Sequence, residues 1–181
     1  MSTVSVPAPA GYTRTAIGLH WVVAFLIAAG FSLGLVLGEM KLSPLKAQLE
    51  SYHKWIGVTV FLALLLRAGW RLSHRPPPLP AMPAWQVVAA KFTHGLLYAL
   101  MAAVPLTGWL FSSARGYPVK YLGLWQLPDL VPKDKELAHA LHGIHENFAW
   151  LMVGVAALHA AAAFKHHFFD RDDTLRRMLR R

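Results

Sequence analysis

His142–His167 reads HGIHENFAWLMVGVAALHAAAAFKHH, a largely apolar stretch in which His145 and His159 stand fourteen residues apart. At about 100° per residue, fourteen steps return to within about 40° of the starting direction, so both imidazoles leave one face of a helix. With a rise of about 1.5 Å per residue they lie about 21 Å apart along the axis, near opposite edges of a hydrocarbon layer about 30 Å thick. A lone histidine in a membrane helix is as often an interfacial or hydrogen-bonded residue as a ligand. Two on one face, with further histidines on other apolar segments, point to metal ligation at two depths.

The chain has 181 residues, 55% of them hydrophobic and only 15% charged. Runs without Asp, Glu, Lys or Arg extend from Thr15 to Gly38, Phe92 to Ala114 and Asn147 to Phe164. The first two exceed the roughly 20 residues that cross a bilayer, so an all-α, polytopic membrane four-helix bundle is predicted. The chain has no Cys, which excludes disulfides, thiolate-bound haem, iron–sulfur clusters and c-type attachment. Any metal must sit on His, Met or carboxylate. The net charge of +9 divides by side rather than forming one patch. Threading four spans from an inner N-terminus places eleven of the 18 Lys and Arg inside and seven outside. By the positive-inside rule both termini are predicted to be cytoplasmic, with the basic tail against anionic lipid and no role in nucleic-acid binding.

Residues 1–12, with Pro7, Pro9 and Gly11, read as a disordered lead to a domain spanning 13–169. The first helix, about 15–38, is too long for a signal-peptide core and is expected to stay uncleaved. It carries His20 near the inner edge, and Gly18, Gly30, Gly34 and Gly38 give it small surfaces for a helix or a flat cofactor. A polar loop at Glu39–Glu50 leads to the second helix, about 51–73. His53 lies at its outer end and Arg67 at its inner end, where Arg67 either snorkels to the headgroups or neutralises a haem propionate. The proline-rich connector His74–Pro83 precedes the third helix, about 85–113, with His94 near the inner end and a kink expected at Pro105. Ser112–Leu141 is expected to be a folded outer lid, with Tyr117, Tyr121 and Trp125 in the membrane interface. The fourth helix, about 142–168, ends at His166 and His167, and 170–181 form the basic tail.

Sorted by depth, the intramembrane histidines are His20, His94 and His159 inside and His53 and His145 outside. A b-type haem needs two axial nitrogens on opposite faces of its plane, taken from two helices. The expected pairs are His20 with His159 and His53 with His145, with His94 the rival at the inner position. Zinc is a poorer fit, because no thiolate or carboxylate lies at these depths except Glu146, whose ordinary role is solvation at a helix end. Bis-histidine iron keeps no open position, so one-electron transfer is the expected work.

The motifs on the four helices and in the outer loop are GLHW at 18–21, YHKWIG at 52–57, THGLLYALMAAVPLTGW at 93–109, RGYPVKYLGLWQLP at 115–128 and HENFAWLMVGVAALHAAAAFKHHFF at 145–169. On these the chain resembles the bacterial cytochrome b561 family, to which the cytochrome b subunits of some hydrogenases and formate dehydrogenases are related. The resemblance implies two haem b groups on His20, His53, His145 and His159, and quinone as an electron partner. Stand-alone members are similar to an enzyme that oxidises superoxide at the outer surface of the inner membrane and reduces ubiquinone. Gly18 stands where some members place a serine, which removes one quinone contact.

Arg115, Lys120, Lys133 and Lys135 would draw superoxide or another outer donor, although Asp129, Asp134 and Glu136 offset much of that charge. His166, two turns beyond His159, is a candidate to bond a quinone carbonyl or deliver a proton. The expected function is a superoxide:quinone oxidoreductase that needs no partner protein. An electron-relay subunit serving a partner dehydrogenase ranks second, because the inner side offers only short connectors. A haem-free transporter or scaffold would leave five histidines at membrane depth unexplained.

Overall fold

Three of the four long helices start at a side chain that accepts a hydrogen bond from a free backbone N–H of the first turn. A computed structural model describes residues 11–78 and 80–179. Residues 1–10 of the expected lead, and Arg180 and Arg181 of the tail, lie outside the described residues. Thr13 accepts from the Ala16 N–H at 3.2 Å and opens α1, Arg14–Glu39. Ser43 accepts from the Lys46 N–H at 3.2 Å and opens α2, Pro44–Ser73, with Pro44 at the first helical position, where its missing N–H costs nothing. The third helix, α3, is continuous over Ala84–Arg115 with Pro105 inside it and stops at Gly116, whose φ of 75° suits glycine. Asp134 accepts from the Leu137 N–H at 3.0 Å and opens α4, Lys135–Phe168, and a short α5 spans Arg176–Leu179.

Two boundaries correct the sequence reading. The second helix begins at Pro44 rather than about residue 51, because Ser43–Pro44 is a helix start, not the interior of a loop. The fourth begins at Lys135 rather than His142; its polar first turns extend beyond the apolar run and are helical for want of any breaker. The outer connection therefore shrinks to Gly116–Asp134. It holds a two-stranded hairpin, β1 at Lys120–Tyr121 and β2 at Trp125–Gln126, with Lys120 opposite Gln126 and Tyr121 opposite Trp125. Leu122 (φ 52°) and Gly123 (φ 74°) reverse the chain.

All four long helices are long and apolar enough to cross a membrane, and their outward faces are bare. Phe25 is 72% exposed and Leu158 71%, which suits a lipid solvent. The helices pack as two hairpins: α1 lies along α2 and α3 along α4, α2 also meets α3, and α1 touches α4 only sparsely. Val23, Leu64, Leu100, Met101, Val104 and Met152 form the core where the hairpins meet. A smaller cluster of Ala114, Ala138 and Leu141 seats the hairpin end beneath the outer connection.

Removing the α4 cap tests this helix start. Asp134→Ala is expected to cost about 1 kcal/mol, a fall of about 2–4 °C in the thermal midpoint of the detergent-solubilised protein, with Asp134→Asn close to wild type. Equal midpoints for all three proteins would show that the cap contributes nothing.

Candidate functional site

The packing of the two hairpins carries histidines from all four helices inward at two levels. At the outer level His53 of α2 faces His145 of α4, ring centres 6.1 Å apart and planes at 85°. At the inner level His20 of α1 faces His159 of α4 at 6.2 Å and 70°. His94 of α3 stands 5.2 Å from the same His159 ring. Each of these five side chains is half-buried.

Backbone and side-chain partners fix several of the rings. The Nδ1–H of His145 donates to the Val104 carbonyl at 2.9 Å, which leaves Nε2 unprotonated and free to ligate. Glycines make the space. A Cβ on Gly108 would lie 3.0 Å from His145 Cε1, and one on Gly34 would lie 3.4 Å from His53 Cε1. At Gly108 a side chain would crowd the His145 ring, whereas at Gly34 a Cβ would just touch His53. His53 Nδ1 is buried and has no hydrogen-bond partner among the described residues. A polar atom left so in an apolar interior calls for a partner.

At the inner level Arg67 donates from Nη1 to His20 Nδ1 at 3.1 Å and from Nε to the Tyr98 hydroxyl at 3.0 Å. It faces the bundle and does not reach out to the headgroups. His166 lies apart from this group, at the end of α4. Its Nδ1 is 2.8 Å from Asp172 Oδ2 and 3.0 Å from Asp170 Oδ2, and Lys165 donates to Asp170 at 2.6 Å. Burial pushes the Asp172 carboxyl up, but hydrogen bonds from Thr174 and His166 outweigh it and hold the group below its ordinary value.

Over the outer pair the hairpin is tied to α2. Trp55 Nε1 donates to the Lys120 carbonyl at 2.6 Å, Lys54 Nζ to the Tyr117 carbonyl at 3.2 Å, and the Tyr121 and Thr59 hydroxyls meet at 3.1 Å. Arg115 lies over the Tyr117 ring at 4.8 Å and 3.8 Å from Glu50.

A cysteine-free bundle of membrane helices with paired intramembrane imidazoles at two levels is the frame of a b-type cytochrome. The family model described as prokaryotic cytochrome b561 matches residues 11–181. The chain belongs to the cytochrome b561 family. This cytochrome is 32% identical over 173 residues to cytochrome b561 homolog 2 of Escherichia coli (strain K12), covering 94% of the chain and 92% of the relative. It is 30% identical over 174 residues to cytochrome b561 homolog 1 of the same organism, covering 94% and 97%. A protein of Yersinia pestis named probable superoxide oxidase CybB is 28% identical over 169 residues, covering 93% and 95%. Membership makes the chain a haem b-binding, electron-transfer oxidoreductase of the membrane.

Tyr98, the Val104 carbonyl and Thr107, whose hydroxyl lies 3.4 Å from His145 Nδ1, belong to the site but carry no mark in the sequence. A tyrosine or threonine inside an apolar helix reads as ordinary packing, and a carbonyl carries no sequence mark. Of the α1 glycines, Gly34 lies on His53 and Gly30 on Ile56, whereas Gly18 and Gly38 have nothing within 4 Å.

The glycine contacts give a direct test. Gly108→Leu is expected to displace His145 and lower the haem absorbance per protein, while Gly38→Leu, at an open position, leaves it unchanged. An unaltered spectrum in Gly108→Leu would remove the close approach from the site.

Proposed function

We propose that this cytochrome holds two b haems, one between His53 and His145 and one between His20 and His159, and passes electrons across the inner membrane from superoxide to ubiquinone. The ring spacing carries the reading. An imidazole nitrogen binds a first-row metal at about 2.0–2.1 Å and its ring centre lies about 1 Å beyond, so two imidazoles flanking one iron stand about 6 Å apart. The spacings of 6.1 and 6.2 Å fit that requirement. At 5.2 Å, His94 and His159 are about 1 Å too close, which favours His20 as the inner ligand. The orphaned His53 Nδ1 and the glycine recesses beside His53 and His145 also suit a group wedged between the hairpins.

Haem b, when bound, supplies a one-electron iron couple at each level. The protein's residues do the rest. Val104 holds His145 in the tautomer that leaves Nε2 for the metal. Arg67 donates to His20 Nδ1, and a neutral imidazole accepting there carries its proton on the other nitrogen. Ligation by that nitrogen therefore needs Arg67 to give up this bond, and the freed guanidinium becomes available to a propionate.

In the overall reaction two superoxide anions each lose one electron and leave as O₂, and one quinone gains two electrons and two protons to become the quinol. Outside, Lys54, Arg115 and Lys120 lie where the hairpin meets α2, and their charge favours approach of an anion. Inside, His166 donates its Nδ1–H to Asp172, and when the other nitrogen also carries a proton the imidazolium can donate it to a quinone carbonyl. The excess of Lys and Arg at the end bearing Arg67, Arg71 and α5 supports cytoplasmic termini.

Rapid mixing of the oxidised protein with superoxide is expected to reduce the haems, and added ubiquinone to reoxidise them, with no second protein present. No reduction by superoxide would leave the cytochrome as a relay for another donor. His53→Ala and His145→Ala are each expected to remove the same half of the b-type spectrum, and His20→Ala and His159→Ala the other half. If His94→Ala removes the inner component and His20→Ala does not, the inner ligand is His94.

A further inference from the structure

At the inner end of the bundle the chain folds back on itself. Trp21 Nε1 donates to the Met178 carbonyl at 2.7 Å, and Arg177 donates to the Pro78 carbonyl at 2.7 Å, so α5 is docked against α1 and the α2–α3 connector. Between them lies a cavity of about 60 Å³. Where about 10–15 Å³ admits one water, that is room for a small polar head group. Arg71, Arg75, His74 and Trp70 line it, together with the apolar Leu19 and Met178.

The charge in this cavity is unbalanced. Among the described residues no carboxylate lines it, and neither Arg71 nor Arg75 takes part in an ion pair. Arg67 also reaches it, bonded to His20 and Tyr98; in the haem-loaded protein it is the arginine assigned above to a propionate, which leaves Arg71 and Arg75. The C-terminus of α2 opposes an anion with about half a charge, which two guanidinium groups exceed. The wall is rigid: the His74 ring stacks on Trp70 at 3.9 Å and 4°, and Trp70 Nε1 donates to Thr13 Oγ1 at 2.9 Å. An aromatic anchor, two unpaired arginines and an apolar flank meet where a helix leaves the hydrocarbon layer. Guanidinium forks match phosphate oxygens, and basic pockets on this side of a membrane suit anionic head groups.

We infer that this cavity binds the phosphate of one anionic phospholipid, held by Arg71 and Arg75, with its acyl chains along the apolar side formed by Leu19. The site joins α1, α2 and α5 and depends only on the helices crossing a membrane, not on the donor or acceptor of the electrons.

Native mass spectrometry of the haem-loaded protein tests it, with phosphatidylglycerol, phosphatidylethanolamine and inorganic phosphate as probes. The wild type is expected to retain one phosphatidylglycerol, and Arg71→Gln/Arg75→Gln to bind it at least about tenfold more weakly with its haem spectrum unchanged. Equal retention of phosphatidylethanolamine, displacement of the lipid by equimolar inorganic phosphate, or undiminished binding by the double variant would each overturn the inference. Loss of haem absorbance in the double variant would overturn it too, because the arginines would then serve a haem carboxylate. Should that variant fail to fold, the comparison of the two lipids on the wild type decides.

Discussion

An imidazole inside hydrocarbon has to satisfy two ring nitrogens without water, and the arrangement of this bundle follows from how that is done. His145 gives one nitrogen to the Val104 carbonyl and turns the other toward His53. His20 takes Arg67 on one nitrogen and turns its ring toward His159. Each solution requires a second helix at the same height, so α4 must lie opposite α2 at one level and α1 at the other. Gly108 follows from the same demand, since it stands where a side chain would crowd the His145 ring.

The two ends of the bundle are finished differently. At the end that carries His53 and His145 a hairpin is pinned to α2 through Trp55, Lys54 and Thr59, so that segment is held by hydrogen bonds and does not drift as a loop. At the other end the closure is made from the chain's own tail, which bonds to Trp21 and Pro78. Basic residues accumulate at the inner end, but they are not equivalent. Arg67 faces the histidines, Arg177 closes the tail, and Arg71 and Arg75 are left facing a cavity.

Much of this was legible before any coordinates. The fourteen-residue spacing of His145 and His159 fixed a shared helical face, and sorting by depth paired each with the histidine that it meets. Helix starts were less legible. Ser43–Pro44 and Asp134 lie in polar surroundings that resemble loops, and the apolar signal of a span stops where the lipid stops rather than where the helix does. Contacts made by backbone or by ordinary-looking aromatics could not be read at all. Nothing in the sequence separates Tyr98, bonded to Arg67, from a tyrosine that merely fills space. The rivalry of His20 and His94 was visible but undecidable by depth, because both rings meet His159, at 6.2 and 5.2 Å.

The sparse meeting of α1 with α4 has a consequence for how the protein is made and lost. Two hairpins that each pack internally can enter the bilayer as separate units, and their union is then the weakest link in the folded chain. A ligand that binds only the joined form adds its own binding free energy to that union. If the prosthetic group sits between the hairpins as proposed, its capture and the assembly of the halves are linked, each favouring the other.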